Sequence, residues 1–187
     1  MPFDHFGRVA GLYDRATGFE VSDELLHILD LSPESQLLDV GGGTGRIAFA
    51  LRRMVKNAMV VDPSQRMLHF AKKRELDAVC APAESLPFAD NKFDRIIMVD
   101  ALHHLYSQDL AADELWRVLN SEGRILIIEP DIQRFFVKLI ALGEKVLLMR
   151  SHFLTHEKIM ALFGDKRGHV RVFKANSNVI VLVEKVR

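Results

Sequence analysis

Five short runs of the chain, 36–40, 58–62, 78–80, 93–99 and 124–129, are mostly apolar along their whole length. Helical spacing lies between several of them. Ile47, Leu51, Met54 and Val55 share a face from Arg46 to about Lys56; Met67, Leu68 and Ala71 follow the Pro63-Ser64 helix start; 109–119 reads as a third helix, and Asn120-Ser121-Glu122-Gly123 as a turn. A strand that is apolar on both faces must be covered on both faces, and alternating helices do this for a parallel sheet. Right-handed crossovers then wind the sheet in both directions. Near the end, 169–175 and 179–186 are two strand-like runs with so short a link that only an antiparallel hairpin can join them. The expected fold is therefore α/β: a doubly wound Rossmann-like sheet of five parallel strands plus a C-terminal antiparallel hairpin.

A chain of 187 residues suits one such domain. We divide it into an N-terminal helical cap (1–34), a core (35–130), and a helical segment with the terminal hairpin (131–187). In the cap, Phe3, Phe6, Ala10 and Tyr13 share a helical face, and Ser22 is placed to cap a second helix that buries Leu25, Leu26 and Leu29. Lys+Arg and Asp+Glu both number 25, so no net field draws nucleic acid to the molecule, and none is expected as a partner. The one cysteine, Cys80, reads as a small core residue and cannot form an internal disulfide. The opening residues lack a charged leader with an apolar run, and the apolar stretch 135–149 is broken by Lys138, Glu144 and Lys145. A cytoplasmic protein with no membrane span is expected. The eight histidines show no metal-ligand spacing, so no metal is expected either.

The first apolar run ends in Gly41-Gly42-Gly43-Thr44-Gly45 and leads directly into a helix. Such a loop lets a ligand approach the backbone, and the amides of the helix start can hold an anionic group. Asp62 ends the second run, the usual place for a carboxylate that accepts from two ribose hydroxyls. Together they indicate a cofactor containing a nucleoside. The nicotinamide fingerprint needs a third glycine where this chain has Arg46, and the Gly-Lys-Ser/Thr ending of a phosphate loop is absent. Asp39, just before the glycines, can face a cationic amine. These features favour S-adenosylmethionine over a dinucleotide.

The same stretches resemble the class I S-adenosylmethionine-dependent methyltransferases, of the small-molecule type that includes the quinone-biosynthesis C-methyltransferases. The matching residues are Leu37-Leu38-Asp39-Val40 with the glycine loop, Val60-Val61-Asp62-Pro63-Ser64, Ala83-Glu84-Ser85-Leu86-Pro87-Phe88, Phe93-Asp94-Arg95-Ile96-Ile97 through Leu102-His103-His104-Leu105, and Arg117-Val118-Leu119 to Glu129-Pro130. The resemblance implies that Asp39, Gly41, Gly43 and Thr44 surround the methionine moiety and that Asp62 holds the ribose. Pro63 and Met67 would line the adenine, Ala83 and Glu84 its edge. Asp100 would approach the methionine end, and Tyr13 would belong to a segment closing over the cofactor. Many relatives carry cysteine or serine where Gly42 stands.

His103 and His104 follow the fourth run, at the mouth of the expected sheet, where a histidine can take a proton from an attacking hydroxyl or phenol. The bland account has one packed under the next helix and the other solvated. The apolar excess in 135–149 reads either as a wall of an apolar substrate pocket or as core plus a homodimer contact. The expected activity is methyl transfer to a small, partly apolar acceptor. A non-catalytic binding module, and a protein or RNA acceptor, are the alternatives.

Overall fold

A computed structural model describes residues 21–131, 152–175 and 178–187. The expected N-terminal helix with Tyr13 and the apolar stretch 135–149 lie outside these residues.

The parallel part is built by β1 (Gln36–Val40), β2 (Asn57–Asp62), β3 (Asp77–Cys80), β4 (Phe93–Val99) and β5 (Leu119–Pro130). β6 (Gly168–Ala175) and β7 (Asn178–Lys185) form the expected hairpin. All seven join one sheet in the order β3-β2-β1-β4-β5-β7-β6. β7 lies antiparallel between β5 and β6, with Ile127 opposite Val181. The order reverses at β1, which pairs in parallel with both β2 and β4. In sheets of this kind ligands bind beyond the carboxyl ends of the strands at such a reversal.

Apolar alternation along β5 sends Ile125 and Ile127 into one core and Leu126 and Ile128 into another. The first core also takes Ala111, Ala112, Leu115 and Val118 of α4 (Gln108–Val118) and Ile159 of α5 (His156–Ala161). The second takes Leu25 and Leu29 of α1 (Asp23–Leu29), Ile47, Ala48 and Leu51 of α2 (Arg46–Leu51), and Leu68 and Ala71 of α3 (Gln65–Lys73). The serine caps act as expected: Ser22 and Ser64 accept from the amides of Leu25 and Met67.

Three local expectations change. α2 stops at Leu51 rather than near Lys56, leaving Met54 exposed. The chain must return to start β2 beside β1, and the Lys56 amide already bonds the Ser35 carbonyl. The turn expected at 120–123 lies within β5: Phe93 pairs with Leu119 and Arg95 with Arg124, so the intervening residues loop out, with Glu122 at φ 62°. Cys80 is exposed, because β3 is a four-residue edge strand and Cys80 is its last residue.

Candidate active site

The glycine loop closes β1 onto β2. The Gly41 amide donates to the Val61 carbonyl at 2.8 Å, and the Gly43 amide donates to Asp62 Oδ2 at 3.0 Å. Asp62 Oδ1 also accepts from the Ser64 amide at 2.8 Å. One carboxylate thus ties the loop to the end of β2 and to the start of α3. Asp62 therefore also helps to start α3, and its carboxylate stays between the loop and the end of β2. Met67 projects from α3 toward the same loop: a Cβ on Gly43 would lie 3.4 Å from Met67 Cε and 3.9 Å from Asp62 Oδ2.

Asp39 sits beneath the loop, 1% exposed, with its Oδ2 accepting from the Ala48 amide at 3.2 Å. A Cβ on Gly42 would fall 2.5 Å from Asp39 Cγ, so the missing side chain is what admits the carboxyl to this position. Burial pushes the Asp39 carboxyl up to about 7; the Ala48 amide opposes this, the Asp62 charge adds to it, and Arg46 opposes it.

The remaining residues read from the sequence fall around this loop or beside it. Thr44 is buried, and its carbonyl accepts from the Arg74 guanidinium. Pro63 is exposed and accepts the Cys80 thiol at its carbonyl. Ala83 is buried in the first core. The Glu84 carboxylate accepts from the amides of Tyr106 and Ser107 at 2.7 and 3.2 Å, so it bridges the loop after β3 to the start of α4. Asp100 follows β4 in the left-handed region, at φ 52°, and its amide donates to the Ile128 carbonyl. A non-glycine residue there is uncommon.

His103 and His104 occupy a 3-10 turn, Leu102–His104, directly after β4. His103 is buried and its Nδ1 faces Glu129 Oε2 at 2.5 Å; His104 is half-buried against it. Glu129 was not singled out in the sequence. Its signal is the one that marked Asp62, an acid at the carboxyl end of an apolar strand.

A cofactor with a ribose, an adenine and a cationic methionine end asks for a carboxylate at the end of β2, an apolar side chain nearby, and negative charge under the loop. Asp62, Met67 and Asp39 meet those demands, so the residues present fit S-adenosylmethionine.

Comparison with known proteins agrees. Residues 38–127 match the family described as a methyltransferase domain. A malonyl-[acyl-carrier protein] O-methyltransferase of Herminiimonas arsenicoxydans is 36% identical over 125 residues, covering 65% of this chain and 48% of the relative. A ubiquinone/menaquinone biosynthesis C-methyltransferase of Zymomonas mobilis is 31% identical over 140 residues, covering 67% and 58%. The chain thus spans about half the length of the curated relatives it matches. The crystal structure of an S-adenosylmethionine-dependent methyltransferase from Thermotoga maritima has the same fold, with a TM-score of 0.76 at 22% identity over 98% of this chain and all of that one. Residues 38–127 thus resemble the methyltransferase-domain family, and the chain shares the fold of the solved methyltransferase. S-adenosylmethionine is the cofactor of that domain. Among the described residues, no helix is long and apolar enough to cross a membrane.

Proposed function

We propose that this chain transfers a methyl group from S-adenosylmethionine to a small, partly apolar acceptor. The observation that carries the reading is the double hold of Asp62 on Gly43 and Ser64, which presents a carboxylate at the reversal point of the sheet. Bound there, the cofactor supplies an activated methyl on a sulfonium. The chain's own work is to bind and orient. Asp62 takes the ribose hydroxyls. Gly41, Gly43 and Thr44 border the methionine moiety, with Asp39 beneath them near its ammonium and Asp100 toward the same end. Pro63 and Met67 flank the adenine, and Ala83 and Glu84 bound its edge. Holding an acceptor in line with the methyl accounts for much of the acceleration, since well-oriented reactions reach effective molarities of ~10⁵–10⁸ M. The quinone-biosynthesis relative supports a small acceptor, while the other relative's name places its acceptor on an acyl-carrier protein.

Titration calorimetry is expected to show binding of S-adenosylmethionine and its demethylated product and none of NADH; the reverse preference overturns the cofactor site. Methyl-labelled cofactor incubated with the small-molecule fraction of a bacterial extract is expected to yield a labelled small product. Label passing only to protein or RNA changes the acceptor class, and no transfer at all leaves a binding module.

Asp62→Ala is expected to weaken cofactor binding by roughly 10- to 150-fold, the loss of charged hydrogen bonds of ~1.5–3 kcal/mol, in a protein that still folds. Unchanged affinity would reduce Asp62 to a residue that organises the loop and helix start.

A further inference from the structure

The loop between β3 and β4 is fastened to α4. Its entry lies beside the carboxylate at the end of β2: Cys80, the last residue of β3, is in register with Asp62, and its thiol meets the Pro63 carbonyl. Ala83 and Leu86 are then buried in the core that also takes Val40 and Val61 from the ends of β1 and β2, and Ala101 after β4. From its other side α4 grips the same stretch. The Leu86 amide donates to Glu114 Oε2 at 2.7 Å, and the Leu86 carbonyl accepts from the Arg117 guanidinium at 3.0 Å. Leu86 is thus paired at both backbone groups, as a neighbouring strand would pair it, but by two side chains a helical turn apart. Arg117 also donates to the Phe88 carbonyl at 2.8 Å, to Asp90 Oδ1 at 2.7 Å, and to the two oxygens of Glu114 at 2.7 and 2.8 Å. These bonds engage every N–H that a guanidinium carries. The Arg117 hydrogen bond holds the Glu114 carboxyl below its ordinary range. Glu84 makes a second attachment, accepting from the Tyr106 and Ser107 amides at the start of α4. Residues 84–88 are therefore held between two anchors on one helix.

We propose that Glu114 and Arg117 are positioning residues for cofactor selection: from outside the crevice they hold the backbone at Ala83 and Glu84 in the register that admits a 6-aminopurine nucleoside and rejects a 6-oxopurine one. The proposal rests on the methyl-transfer reading above, which puts those two residues at the adenine edge. The selection is one of donor and acceptor order. Adenine presents a donor at its exocyclic amine beside an acceptor at N1; hypoxanthine presents an acceptor and a donor in the same places. A backbone carbonyl and amide match one order only, and the wrong base leaves polar groups unpaired. That holds while the loop is fixed; a loop free to slide re-pairs with either base. Arg117 prevents the slide because its planar fork ties two loop carbonyls to a carboxylate on α4. The single ammonium of lysine has neither the donors nor the span to do so.

A pair that merely satisfied the backbone groups of the loop would make the same contacts. The deciding readout is therefore selectivity between bases, since a structural bracket moves stability, or moves all affinities together.

Titration calorimetry on the full chain compares S-adenosylhomocysteine, S-inosylhomocysteine and adenosine, with urea denaturation to establish that each variant is folded. The wild type is expected to prefer the adenosyl over the inosyl ligand by roughly 10-fold or more. Arg117→Lys is expected to weaken the adenosyl ligand by about 10-fold and the inosyl ligand by less than about twofold, so that the preference disappears. Glu114→Gln keeps an acceptor for the Leu86 amide without a charge for Arg117, and is expected to reduce the preference by about threefold. The gain in affinity from adenosine to S-adenosylhomocysteine, which reports the methionine end, is expected to stay constant in both variants. Variants that weaken both ligands equally, that change neither, or that lose the gain at the methionine end overturn the proposal and leave the cofactor reading standing. A wild type that binds both ligands equally also overturns it alone; one that binds neither takes the cofactor reading with it. Should neither variant fold, amide exchange in the wild type decides. At equal occupancy the Leu86 amide is expected to be protected more by the adenosyl than by the inosyl ligand, and equal protection overturns the proposal.

Discussion

Between pH 4 and pH 7 the ligand-free protein is expected to lose a few kcal/mol of stability through Asp39, and Asp39→Asn is expected to remove that loss. Burial, the largest cause, raises the carboxyl from 3.8 to about 7 in the folded chain. The folded state therefore holds a proton that the unfolded chain has already released across this window. Stability falls with pH wherever the native state binds more protons, at up to ~1.4 kcal/mol per unit for one group. The contribution is fully present below the unfolded value and lost as pH climbs through the folded one. Asparagine keeps the shape and the acceptor for the Ala48 amide without the charge. Urea denaturation of both proteins at pH 4.5, 6 and 8 measures the difference. Parallel pH curves would mean that Asp39 is solvated or paired in the folded state. A cation held above the loop favours the ionised carboxyl, so S-adenosylmethionine affinity should rise across the window in which stability falls.

Gly45→Ala is expected to destabilise the fold by about 2–5 kcal/mol, combining left-handed backbone cost with overpacking. Gly45 has φ 73°, and a Cβ there would stand 2.6 Å from Leu76 Cδ1, 3.1 Å from Ala71 Cβ and 3.2 Å from Val60 Cγ2. Those three side chains belong to the core beneath α2 and α3, so Leu76 would have to repack within it to admit the new methyl group. Gly43→Ala is the matched comparison. It has φ 55°, but its Cβ meets only Met67 Cε at 3.4 Å and Asp62 Oδ2 at 3.9 Å, so about 1–2 kcal/mol of backbone cost is expected alone. Equal losses in urea denaturation would mean that close packing at Gly45 adds nothing.

The alternation of apolar runs with helices made the parallel sheet legible, because burial on two faces leaves a composition signal in every strand. The hairpin was legible from its short link. The place of β7 between β5 and β6 was not, since pairing order depends on which edges are open rather than on any local pattern. The end of α2 was missed for a similar reason: 52–55 continue a helical pattern, but the return to β2 overrides it. At the site, the glycines and Asp62 announced themselves by position. That Asp39 lies under Gly42, and that Glu129 serves His103, are facts of long-range packing between strands that sequence spacing does not encode. Cys80 looked like a core residue because an edge strand and an inner strand share the same short apolar text.

The insertion of β7 beside β5 has a bearing on how the chain is made. β5 is complete at Pro130, whereas the strand that covers its open side begins only at Asn178. During synthesis the apolar edge of β5 therefore emerges from the ribosome well ahead of its partner. Until then it offers unpaired backbone groups to any passing strand. The first five strands can assemble the cofactor crevice early, but the sheet has no finished right-hand neighbour for β5 until the hairpin arrives. Premature termination in the stretch before β7 should thus yield aggregating fragments rather than smaller working enzymes.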